Sequence, residues 1–92
     1  MERRTLIIKI CSYRSPQRYA VERSVRTALS LLRERYPEIQ DQIVNIKDVE
    51  DILKYSQVLI LPSLVINEKL VCSGRFPKKG EILKWLEETI TE

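Results

Sequence analysis

The stretch Ile60-Leu61-Pro62-Ser63-Leu64-Val65-Ile66-Asn67-Glu68-Lys69-Leu70-Val71-Cys72-Ser73-Gly74-Arg75-Phe76 decides the fold. Proline marks its entry and glycine its exit. Between them two short apolar runs, Leu64 to Ile66 and Lys69 to Ser73, flank Asn67-Glu68, which is the pattern of a β-hairpin. Asn tolerates the left-handed backbone that a two-residue turn requires. Glu68 stands where glycine is commoner, so the turn type stays open.

Upstream, Thr5 to Cys11 is a short run rich in isoleucine and close to continuously apolar, as expected of a strand covered on both faces. Ser15-Pro16 predicts a helix start, with Ser15 as N-cap and Pro16 in the first helical position. From 16 to about 35, Val21, Val25, Ala28, Leu29, Leu32 and Tyr36 recur on one helical face, leaving Arg18, Glu22, Arg23, Arg26 and Arg33 largely off it. Tyr36-Pro37 ends that helix, because the residue before proline avoids the α region. Gln42 to Lys47 predicts a second strand. Asp48 then serves as N-cap, with Asp51 three residues on, for a short helix from 49 to about 57.

After the hairpin, 78 to 91 repeats Ile82, Leu83, Leu86 and Ile90 as a closing amphipathic helix flanked by Trp85, whose expected role is packing. The element order is β-α-β-α-β-β-α. Strands separated by helices favour parallel neighbours, and the last two make an antiparallel hairpin. The expectation is an α/β domain over 1–92, a four-stranded mixed sheet with helices on both faces.

Composition removes whole classes of chemistry. The 92 residues suffice for one core, and the chain is 43% hydrophobic and 32% charged. Leu6 to Ile10, interrupted by Lys9, is too short for a signal-peptide core, and no run spans a bilayer, so a cytoplasmic protein without membrane partners is expected. There is no histidine, which excludes His-dependent metal sites, Ser-His triads and Cys-His pairs. The two cysteines, Cys11 and Cys72, lie 61 positions apart and match neither a disulfide framework nor zinc spacing. No metal and no cofactor are expected. The formal charge of +3 divides unevenly: residues 1–35 carry nine Lys or Arg against three Glu, and 36–92 carry seven against ten acidic residues. That split either steers an anionic partner or is a solvated helix face.

The order of elements, Leu61-Pro62-Ser63-Leu64-Val65-Ile66-Asn67 at the third strand and Ser73-Gly74-Arg75 before the last helix resemble the thioredoxin fold. More narrowly they resemble the small thioredoxin-like redox-active disulfide proteins of archaea and bacteria, over roughly 6 to 90. The resemblance implies a cis bond between Leu61 and Pro62 that turns backbone groups toward the site. It also places the family's Cys-x-x-Cys on Ser15-Pro16-Gln17-Arg18, where both thiols are missing. Disulfide exchange needs a thiolate nucleophile; a serine hydroxyl stays protonated and has no neighbouring base here.

Three functional readings follow. The first is a redox-inactive binding module that holds a peptide or a small anionic, glutathione-like ligand between Tyr13, Arg14, Ser15, Pro16, Gln17 and Arg18 and the Leu61-Pro62 turn. Its helix N-terminus offers N–H groups and a positive dipole end. The alternative is a monothiol oxidoreductase working through Cys11, which requires an exposed thiol with a lowered pKa; buried, inert cysteines are the competing expectation. The third is nucleic-acid binding through Arg14, Arg18, Arg23 and Arg26, which Glu22 and the acidic remainder of the chain disfavour. A phosphatase-type loop fails on spacing, with six residues between Cys11 and Arg18 where five are needed.

Overall fold

The computed structural model describes residues 5–54 and 62–91. Strand β1 (Thr5–Cys11) leads into helix α1 (Ser15–Arg35), then β2 (Gln40–Ile46), the single turn α2 (Val49–Ile52), β3 (Ser63–Ile66), β4 (Lys69–Ser73) and α3 (Lys79–Thr91). The sheet order is β2-β1-β3-β4. β1 pairs with β2 in parallel, and the other two neighbour pairs are antiparallel. The mixed four-stranded α/β sheet expected from the sequence is the one observed.

Alternation along β1 divides the molecule into layers. Leu6, Ile8 and Ile10 point to one face and join Leu64, Ile66 and Cys72 with Val21, Val25, Ala28, Leu29 and Leu32 of α1 and Ile82, Leu86 and Ile90 of α3. Each large aliphatic side chain buried there contributes about 1.5–3 kcal/mol against the entropy of ordering it. The opposite face has a smaller cluster in which Ile52 of α2 covers Cys11 and Val65. Helices therefore lie on both faces. β1 itself is covered unevenly: Ile7 is exposed on the α2 side, where full cover was expected.

Several boundaries differ from expectation. β2 begins two residues earlier, at Gln40. α2 ends at Ile52, with Leu53 as its C-cap and 53–54 in a turn, short of the expected 57; residues 55–57 lie outside the described residues. β3 runs antiparallel to β1. Its first residue, Ser63, stands opposite Cys11, and Cys11 stands opposite Ile46, the last residue of β2. β2 therefore ends and β3 begins at the same end of the sheet, on opposite sides of β1.

The hairpin turn is resolved by its dihedrals: φ is 48° at Asn67 and 69° at Glu68. Positive values at both central positions make a type I′ turn, whose twist matches paired strands. Asn67 extends the pairing, since its Oδ1 accepts the Ile7 N–H at 2.8 Å and its Nδ2 donates to the Thr5 carbonyl at 3.2 Å. Glu68 accepts a bond from Lys9 Nζ at 2.5 Å. Along β4, Val71 is the extra residue of a bulge between the Leu64–Cys72 and Val65–Leu70 pairs.

The charge asymmetry is partly consumed inside the fold. Arg33 pairs with Asp41, Arg35 with Glu87 and Lys9 with Glu68, each joining the basic N-terminal part to the acidic remainder. Arg26 pairs with Glu22 one turn away. Among the described residues no helix is long and apolar enough to cross a membrane.

Candidate functional site

Register gathers one end of the sheet. Cys11 at the end of β1, Ser63 at the start of β3 and Ser73 at the end of β4 are mutually aligned, and Ile46 ends β2 beside them. The loop 12–14 and the first turn of α1 leave from this end, and Pro62 enters at it. The Gly74 N–H donates to the Pro62 carbonyl at 2.9 Å, which ties the exit of β4 to the entry of β3. Pro62 is buried. Leu61 and the isomer of the Leu61-Pro62 bond lie outside the described residues, so that half of the expected site is represented by Pro62 alone.

The 12–18 loop is held by its own polar groups. Ser12, fully buried, donates its N–H to the Ile46 carbonyl at 3.1 Å. Its hydroxyl accepts the Arg14 N–H at 3.0 Å and donates to Gln17 Oε1 at 2.6 Å. A serine hydroxyl bonding the N–H two residues on is a local turn device that competes with strand and helix, and here it separates the two. Sequence reading passed over Ser12. Its position one residue beyond a strand and just ahead of a Pro-marked helix start was the available signal.

The helix begins one residue earlier than expected. Arg14 occupies the N-cap position without a side-chain cap bond, and Ser15 is the first helical residue, so Ser15 does not act as the N-cap. The reason lies in Arg18. Its Nη2 donates to Ser15 Oγ at 3.0 Å and its Nη1 to the Ser12 carbonyl at 2.9 Å, so the hydroxyl that would cap the helix receives a guanidinium proton. Arg18 was expected off the apolar face; it is 7% exposed, folded back beneath the loop. No carboxylate pairs with it among the described residues. Its guanidinium meets a carbonyl and a hydroxyl among those residues, at the end of the helix where the dipole is also positive.

The remaining predicted residues form the rim. Tyr13, Arg14, Ser15 and Pro16 are exposed and Gln17 is half-buried. Pro16 has no N–H, and those of Arg14 and Arg18 are already engaged, the latter by the Arg14 carbonyl at 3.2 Å. The N–H groups of Ser15 and Gln17 remain as donors at the helix end. Among the described residues neither Ser12 nor Ser15 has a base beside its hydroxyl.

Both cysteines are buried and free. Cys11 sits in the cluster beneath α2, whereas Cys72 belongs to the core on the other face of the sheet. Burial pushes the Cys11 thiol up to about 11, against a smaller lowering by Lys9. Cys72 Sγ lies 3.7 Å from the Arg75 carbonyl. Arg75 in turn forms two bonds to the Glu81 carboxylate, at 2.8 and 2.7 Å, and Glu81 also accepts the Lys78 N–H at the start of α3.

The profile of the thioredoxin domain family matches this chain over residues 8–87, from the middle of β1 to the last turns of α3. A comparison with curated proteins gives no match.

Proposed function

The chain belongs to the thioredoxin-domain family, and from that premise we propose that it is a redox-inactive binding module for a peptide or a small anionic, glutathione-like ligand. The ligand sits against Tyr13, Arg14, Ser15, Pro16 and Gln17 at the end of α1, facing the Leu61-Pro62 turn. One observation carries this reading: among the described residues Arg18 is a buried cation without a carboxylate partner, under a helix end where the Ser15 and Gln17 N–H groups have no acceptor. Burying a charge is costly, and an anion seated over the loop offsets that cost while accepting the spare donors. Arg14 adds an exposed second charge at the rim. Arg18 acts from below, through the field and by fixing Ser12 and Ser15.

Redox inactivity rests on the residues themselves. The resemblance places the family's two thiols on Ser15 and Arg18, and both residues are engaged in the loop's hydrogen bonds. Monothiol exchange through Cys11 has no supporting observation, because that thiol is buried and held protonated at neutral pH. The test is calorimetric titration with reduced glutathione and with S-methyl glutathione, which has no thiol to exchange. Saturable binding of both with similar affinity, weakened in Arg14→Glu, is expected. Absence of any heat of binding, or turnover of a disulfide substrate by the wild-type chain, contradicts the proposal.

A further inference from the structure

The sheet has two outer strands, β2 and β4, and they are finished differently. β4 is short, begins at Lys69 and is bent by the bulge at Val71. Charge and a bulge at an outer strand are the usual devices that stop a sheet from adding another strand. β2 has neither. It runs over Gln40–Ile46 in unbroken register with β1 and contains no lysine, arginine, proline or glycine. Its one charge, Asp41, is paired with Arg33.

One hydrogen bond fixes which backbone groups of β2 are free. The Ser12 N–H reaches the Ile46 carbonyl, and successive residues of a strand turn their N–H and C=O groups to opposite sides. Gln40, Gln42, Val44 and Ile46 therefore face β1, while Asp41, Ile43 and Asn45 turn their backbone groups outward. Among the described residues no hydrogen bond reaches those outward groups. The strand is also apolar for an outer one, with Ile43, Val44 and Ile46 each half-buried and so still partly in water.

Self-complementarity points to a second copy of the chain as the occupant. A two-fold axis centred on Ile43 is the one antiparallel arrangement that pairs every residue of β2 with another β2. Ile43 then faces the second copy's Ile43, Gln42 its Val44, Gln40 its Ile46 and Asp41 its Asn45, so no like charges stand opposed along the strands. On the α1 side, the Asp41–Arg33 pair of one copy comes beside the other copy's Asn45. Asn45 Nδ2 donates to Glu22 Oε1 at 3.1 Å, and Glu22 Oε2 accepts from Arg26 Nε at 2.9 Å. Each copy thus brings Arg26 and Arg33 against Glu22 and Asp41 to the seam. The seam is neutral although the chain carries +3.

We propose that β2 is a dimerisation edge. Two copies of this chain pair their β2 strands antiparallel about Ile43, joining two four-stranded sheets into one continuous sheet. The outward N–H groups of Asp41, Ile43 and Asn45 donate to carbonyls of the second copy, and the contact is the same patch on both sides. A strand pair with its flanking side chains is small beside the roughly 1,600 Å² of a standard interface, so the dimer is weak and concentration-dependent. The proposal does not depend on the binding-module reading.

The test is sedimentation velocity of the full chain from micromolar to millimolar concentration, with amide hydrogen exchange at both extremes. A monomer–dimer equilibrium is expected. The amides of Asp41, Ile43 and Asn45 exchange more slowly at the high concentration, whereas those of Gln42 and Val44 do not change. Ile43→Pro removes an outward N–H without touching the β1 ladder and raises the dimer dissociation constant by about tenfold or more. That variant also loses the packing of Ile43, so the double variant Gln40→Lys/Gln42→Lys is measured beside it. It alters only exposed side chains, sets lysines of both copies across the seam, and weakens the dimer by about tenfold. A chain that stays monomeric up to millimolar concentration overturns the proposal. So does a dimer whose slowed amides lie in β4 or α3, or one that the lysine variant leaves unchanged. Glutathione shifts at residues 13–19 are the same in the lysine variant as in the wild type, so each reading fails separately.

Discussion

Ser12 and Arg18 hold the candidate site, and both act through backbone groups. The Ser12 carbonyl depends on Arg18 Nη1, and the Ser12 hydroxyl bridges Arg14 and Gln17. Arg18→Met keeps the aliphatic stem and removes both guanidinium bonds, leaving the Ser12 carbonyl under-satisfied in a buried position. It is expected to lower unfolding free energy by about 1–3 kcal/mol, read from the urea midpoint. An unchanged midpoint would mean that the guanidinium does not hold the loop. Cys11 gives a pH signature. Its thiol is raised from an ordinary value of 9.0 to about 11 by burial, so the folded state prefers the protonated form more than the unfolded chain does. The corresponding stability is fully present below pH 9 and is lost as pH rises toward 11. Urea midpoints measured across that window should fall in the wild type more steeply than in Cys11→Ala; parallel curves would contradict the assignment. Arg18 also shows where residue-level reading stops. Helical periodicity placed it off the apolar face, correctly for the core, but periodicity carries no information about a side chain that turns back toward the preceding loop.

At the scale of the element, the hairpin turn and the start of α3 make separate predictions. Asn67 supports a left-handed backbone and two side-chain bonds to β1, so Asn67→Ala is expected to cost about 1–3 kcal/mol by chemical denaturation. Glu68 holds φ of 69° without glycine's freedom. In Glu68→Gly a left-handed penalty of about 1–2 kcal/mol is removed and an ion pair worth about 1 kcal/mol or less is lost. That variant is therefore expected to be neutral or more stable, and a clear loss of stability would show that the Lys9–Glu68 pair outweighs the backbone term. In α3, a Cβ at Gly80 would meet nothing within 4 Å, so Gly80→Ala should stabilise by about 0.4–1 kcal/mol. The elements were legible because each announces itself locally: a Pro-marked start to α1, an Asn-led two-residue turn, and a 3.6 period in α1 and α3. Their ends were less so. Where β2 begins depends on pairing with Thr5, and the length of α1's first turn depends on Arg18 competing for Ser15. Thr5 is far in sequence from β2, and Arg18, close as it is to Pro16, acts through a side-chain bond that local patterns do not show.

The whole molecule divides its two cysteines between opposite faces of the sheet, Cys11 under α2 and Cys72 in the α1–α3 core. No native disulfide can join them, so the thermal midpoint should be the same with and without reductant; a shift would require a cross-link that this topology forbids. The mixed four-stranded sheet was readable from the sequence because helices and strands alternate in a way that few topologies satisfy. The antiparallel placement of β3 was not, since it depends on which end of the sheet the chain re-enters. The site was readable as a place more than as a chemistry. The Pro-marked helix start after β1 located the loop, whereas the wiring through Ser12 and the burial of Arg18 arise only when β1, β2 and α1 are assembled. The central claim is that this loop binds an anionic ligand by hydrogen bonds and charge. It is tested most directly by following backbone amide shifts of the full chain as glutathione, and separately inorganic phosphate, is added. The expected result is a saturable shift led by Ser15 and Gln17 and spreading over residues 13–19; shifts absent from that loop at saturating ligand, or confined to another surface, would contradict the account.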